Sequence, residues 1–85
     1  MNWNDRPNFA AKMLEVATLL GVVVDEEDVG AFFRHLEDYP YDVVCAAIDR
    51  AIKDRDPSDE FLRRAMLTLP EIMGAIDNIV KETST

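Results

Sequence analysis

Each of the chain's four prolines falls where one run of helix-spaced apolar residues gives way to the next. Proline has no backbone N–H and disfavours helical geometry in the residue before it, so it is tolerated at a helix start and resisted within. Pro7, Pro40, Pro57 and Pro70 therefore divide the chain into short helical segments that must bury their apolar stripes against one another. One β-prone run, Val22-Val23-Val24, has no second run to pair with, and an isolated strand is not stable. It reads as a buried linker, its valines packed between helices.

The segments follow from local signals. Phe9, Met13, Val16 and Leu20 recur at helical spacing from Pro7 to Leu20, and Gly21 follows as a left-handed cap. Asp25 caps the second helix, with Glu26, Glu27 and Asp28 at the positive end of its dipole and Val29, Phe32, Phe33 and Leu36 as its stripe. Tyr39-Pro40-Tyr41 ends that helix near Asp38 and opens a third, whose inner face is Val44, Ala47, Ile48, Ala51 and Ile52. That face is continuous, which makes the third helix central. It should end near Asp54. Asp56-Pro57-Ser58-Asp59 is a turn and helix-start cluster, after which Phe61, Leu62, Ala65 and Met66 suggest a short helix. Thr68-Leu69-Pro70-Glu71 reads as a capping box opening a last helix through Ile72, Ile76, Ile79 and Val80, and Glu82-Thr83-Ser84-Thr85 should fray. The expected fold is all-α, a small four- or five-helix bundle in a single domain over residues 1–82, with 83–85 as a frayed tail.

A chain of 85 residues has room for one modest core. With 48% apolar and 31% charged residues it lies well away from the composition of disordered chains. The formal charge is −8, distributed as −7 over residues 1–49, +1 over 50–64 and −2 over 65–85. Such an excess repels nucleic-acid phosphates and anionic lipid at long range, so direct nucleic-acid binding is disfavoured. The apolar runs are too short to span a bilayer, which rules against a membrane protein. One cysteine, Cys45, leaves no internal disulfide, and with no signal-peptide pattern the expected setting is the reducing cytoplasm.

Residues able to carry chemistry are few. Asp25–Asp28 lacks the alternating ligands, glycine and distal glutamate of a calcium loop, and serves better as a helix N-terminus. His35, near Glu37 and Asp38, is the only histidine, and with one Cys the chain cannot supply a four-ligand zinc set. Cys45 sits among Val43, Val44, Ala46 and Ala47, as a packed, inert thiol does. The three glycines, Gly21, Gly30 and Gly74, are too scattered for a phosphate loop. No cofactor, metal or catalytic set is expected, and the chain reads as a non-enzyme. Arg50, Lys53, Arg55, Arg63 and Arg64 form a basic strip across the turn at Pro57. Interleaved Asp49, Asp54, Asp56, Asp59 and Glu60 favour a solvated, salt-bridged face there, with docking of an acidic protein as the other option. Trp3, Tyr39 and Tyr41 are aromatics with polar tips, the type that anchors interfaces, and the tyrosine corner should be exposed on one side. With Arg63 and Arg64 they are the candidate partner-binding residues.

The stretch Val24-Asp25-Glu26-Glu27, Phe33-Arg34-His35-Leu36-Glu37-Asp38-Tyr39-Pro40-Tyr41-Asp42-Val43-Val44, Ala47-Ile48, and then Leu67-Thr68-Leu69-Pro70-Glu71-Ile72, resembles the small helical domain of phage replicative-helicase loader and inhibitor proteins. There, too, a helix ends in an acidic-aromatic corner, a helix with small apolar residues follows, and a proline-containing start introduces the next. Here residues 56–66 intervene before that start. The resemblance implies a phage- or prophage-type DNA-replication accessory whose partner is a replicative helicase or initiator, and it assigns helicase contact to no residue of this chain. A second reading takes the acidic excess at face value, as a DNA mimic that occupies the groove of a nucleic-acid-binding protein. The first predicts a compact apolar patch and weak salt dependence, the second aligned carboxylates and steep salt dependence.

Overall fold

The computed structural model describes residues 1–55, 58 and 65–83. A 3₁₀ turn (Trp3–Asp5) leads into α1 (Arg6–Leu20), followed by α2 (Glu26–Leu36), α3 (Tyr41–Lys53) and α4 (Leu69–Thr83). No strand occurs among the described residues. The Cα atoms extend 34 × 32 × 16 Å, a slab about two helices thick, as expected when apolar stripes close on one another in two layers.

Most boundaries form for the reasons the sequence supplies. Gly21 adopts φ 72°, its N–H donates to Thr18 O (3.2 Å), and Val22 N–H donates to Ala17 O (2.9 Å). These two bonds make a Schellman cap on α1. Asp25, extended at φ −99° and ψ 173°, accepts from Asp28 N–H at 2.9 Å and so starts α2. Extended Pro40 is the N-cap of α3. At the head of α4 the Thr68 N–H donates to Glu71 Oε1 (3.2 Å), the return bond of the predicted box, while the Thr68 hydroxyl donates to the same oxygen (3.1 Å). One start lies outside the expected segments. Asn2 accepts from Asn4 N–H (2.9 Å) and Asp5 accepts from Asn2 N–H (3.0 Å), a capping box on the 3₁₀ turn that aims the chain into α1.

The core takes Phe9, Met13, Val16 and Ala17 from α1, Val29, Phe33 and Leu36 from α2, Val44, Ala47, Ile48 and Ala51 from α3, and Ile72, Ala75 and Ile76 from α4, with Val24 and Leu67 from the connections. Phe9 and Phe33 stack tilted with centroids 5.8 Å apart, joining α1 to α2. Among the described residues the α3–α4 pair makes the most extensive helix–helix contact.

Two expectations need correction, and a third falls mostly outside the described residues. The valine linker is not uniformly buried: Val24 is in the core and Val22 half-buried, but Val23 is 96% exposed, because successive side chains of extended backbone point to opposite sides. Ala65 and Met66 lie in a bend and an irregular stretch outside any helix, and Phe61 and Leu62 lie outside the described residues. The last helix runs to Thr83, into the stretch expected to fray, and residues 84–85 lie outside the described residues.

Candidate protein-interaction surface

Two residues of the basic strip, Arg50 and Arg55, serve as structural ties. Arg55 has a side chain only 6% exposed; its Nε donates to Glu71 Oε2 at 3.0 Å and its Nη2 to Glu71 Oε1 at 3.1 Å. The same guanidinium donates to the carbonyls of Ala65 and Met66. A planar fork that meets a carboxylate on two bonds and two carbonyls besides ties the end of α3 to Ala65, Met66 and the first turn of α4. Burial pushes the Glu71 carboxyl up, but the bonds from Arg55 and from Thr68 outweigh it and hold the group below the usual carboxylate range. Arg50 bridges to Glu82 of α4 (2.7 Å) and to Asp54 (3.7 Å). Lys53 is exposed. Arg63 and Arg64 lie outside the described residues.

The aromatic candidates are not gathered into one patch. Trp3 is 70% exposed, its ring edge-on to Phe33 (centroids 6.1 Å apart) with the Arg6 guanidinium 4.8 Å from its centre. It lids the α1–α2 contact and leaves one face to solvent. At the tyrosine corner Tyr39 and Tyr41 are both half-buried and packed against the core, and Pro40 between them is exposed. The Met1 ammonium donates to the carbonyls of Glu37 and Tyr39, laying the start of the chain along this corner. Hydrogen bonding to Cys45, reinforced by burial and nearby negative charge, pushes the Tyr41 phenol up to about 12. Cys45 is half-buried, less enclosed than its apolar neighbours implied. His35 is exposed in the last turn of α2.

Sites for small molecules or ions are poorly supplied. Among the described residues, no three His, Cys, Asp or Glu side chains converge as metal ligands. A cleft of about 540 Å³ between α3 and α4 has Arg55 and Glu71 in its wall, already engaged with each other. A cleft of about 380 Å³ over α1 and α2 is lined by Arg6, Glu26, Glu27 and Arg34 around Gly30 and Ala31, charges of both signs. No helix among the described residues is long and apolar enough to cross a membrane.

The surface that stands out is the outer face of α1. Its exposed residues are Pro7, Asn8, Ala11, Leu14, Glu15, Thr18 and Leu19, with Glu15 the sole charge among them. Leu14 is 56% and Leu19 70% exposed. The exposed positions of α2, in contrast, are Glu26, Glu27, Asp28, Ala31, Arg34 and His35. Pro7, Ala11, Leu14 and Thr18 follow the i, i+4, i+7, i+11 spacing of a stripe, so α1 presents a nearly uncharged strip opposite the core.

No family model, curated protein or solved structure matches the chain.

The signal for this face was present in the sequence. From Pro7 to Leu20 only Lys12 and Glu15 are charged, and apolar residues lie on every side of the helix. A helix apolar all round has two surfaces to cover. The stripe of Phe9, Met13, Val16 and Leu20 accounts for only one of them.

Proposed function

We propose that the chain is a non-enzymatic protein-interaction module that binds its partner through the outer face of α1. The observation that supports it is the contrast between that strip and the charged exposed face of α2: two exposed leucines and one charge on a molecule of net charge −8. Exposed apolar area flanked by polar residues marks protein contact surfaces. A helix held by its own core offers such a surface preformed, so little ordering entropy opposes binding. The partner class is the one the resemblance implies, a replicative helicase or initiator, which makes the protein a phage-type DNA-replication accessory that acts by covering or positioning a partner surface.

The test is affinity capture from the native host lysate at low and high salt. Wild-type bait is compared with Leu14→Asp/Leu19→Asp, which places charge on the strip without touching the core. The reading expects a helicase or initiator that survives high salt with the wild type and is lost with the variant. Equal capture by both baits would remove α1 from the interface.

The DNA-mimic reading is favoured by a different observation: Asp25, Glu26, Glu27 and Asp28 crowd one helix end and make no ion pair among the described residues. It expects recovery of a nuclease or repressor whose binding collapses at high salt.

A further inference from the structure

The strip on α1 continues sideways into a groove between α1 and α3. Val16, Leu19 and Ile52 supply its apolar lining, and Lys12, Glu15 and Asp49 its rim. At about 250 Å³ it falls below the ~300–1,000 Å³ of small-molecule clefts, so it suits a single bulky side chain better than a metabolite. An anchor in this groove with its neighbours one and two turns away on Leu14 and Ala11 is the pattern of an amphipathic helix laid along another helix.

Charge decides among the occupants of that shape. The rim cation, Lys12, is neutralised by Asp49 at 2.7 Å, while the Asp49 side chain remains 64% exposed. Glu15 is exposed and makes no ion pair among the described residues. Residues 1–49, which contain α1, α2 and most of α3, carry −7 of the −8. A second copy of the chain, an anionic lipid surface or a nucleic acid would approach against that field, whereas a basic helix is drawn in by it.

We propose that the α1 face and the α1–α3 groove receive a cationic amphipathic helix, its apolar stripe on Leu14, Thr18 and Leu19 and its basic flank against Glu15 and Asp49. This deepens the interaction-module reading and rests on it.

The test uses the full chain and two labelled helical peptides of about fourteen residues, roughly four turns. Both carry leucines at i, i+3, i+4 and i+7; one has lysine and the other glutamate at the flanking positions. Fluorescence anisotropy should show binding of the leucine–lysine peptide at near-physiological salt and none of the leucine–glutamate peptide. Leu14→Asp/Leu19→Asp should weaken binding by about tenfold or more, a difference of ~1.4 kcal/mol. This variant adds two negative charges, so a purely electrostatic association would strengthen instead. Equal or tighter binding by the variant overturns the proposal, as does equal binding of the two peptides. Circular dichroism reports whether the variant keeps its helix content, and Glu15→Lys, a single exposed substitution, should lower affinity by about fivefold even if the double variant fails to fold. No effect of Glu15→Lys would count against the basic flank. Sedimentation of the free protein supplies the remaining outcome: a dimer dispersed by Leu14→Asp/Leu19→Asp would mean that a second copy fills the face, and the cationic helix falls. If neither peptide binds while host-partner capture is still lost in the double variant, the interaction-module reading stands and only the partner chemistry is wrong.

Discussion

Arg55 shows how one side chain can be misjudged from its neighbours in sequence. Lying among Lys53, Asp54 and Asp56, it looks like part of a solvated charge run. In space it is enclosed, with Glu71 and two backbone carbonyls around its guanidinium. Replacing it with Met leaves those acceptors without their donor and should cost ~1–3 kcal/mol, read as a lower thermal midpoint. The pH dependence has a definite sign. Glu71 is held below its ordinary value of 4.5 in the fold, so its ionised form favours the folded state at neutral pH, and that contribution fades as pH falls from about 4.5 through the lowered value. The gap in thermal midpoint between wild type and Glu71→Gln should therefore be widest near neutrality and close in acid. A constant gap from pH 7 to pH 3 would mean the carboxylate charge is not involved.

At the level of the helices, nearly every boundary was legible because a local rule writes it in one or two residues: Gly21, Asp25, Pro40 and Thr68. What lay beyond reach was whatever depends on a partner distant in sequence. Arg55 meets Glu71 sixteen residues on, and Lys12 meets Asp49 thirty-seven on, so neither pairing shows in a window of one helix. The outer face of α1 is a different case: its lack of charge is visible in the sequence, but the inward stripe alone already accounts for a helix, so the second face adds nothing to that signal. Of the candidate binding residues, Trp3 is exposed, the tyrosines are partly absorbed into packing, and Arg63 and Arg64 lie outside the described residues. Glycine supplies a paired test of the helix rules. Gly74 lies within α4, with nothing within 4 Å of where a Cβ would stand, so Gly74→Ala should stabilise by about 0.5–1 kcal/mol. Gly21 has positive φ, and Gly21→Ala should destabilise by about 1 kcal/mol. Chemical denaturation of both variants gives opposite shifts in midpoint if the two conformations are as described.

For the molecule as a whole, size sets the margin. A core this small supplies only ~3–5 kcal/mol of net stability, and the chain has no disulfide to add to it. Phe9, fully buried and stacked on Phe33, is worth about as much as the entire margin, since Phe→Ala in a core costs ~3–5 kcal/mol. Phe9→Ala should be largely unfolded at room temperature by circular dichroism, while Leu14→Asp/Leu19→Asp keeps its helix content. That contrast follows from the 16 Å thickness of the slab. In a body two helices deep, each helix has a back as well as a front. On α1 the residues that make the protein fold sit half a turn from the exposed ones, so under the proposed reading selection could rewrite the contact face without consulting the core.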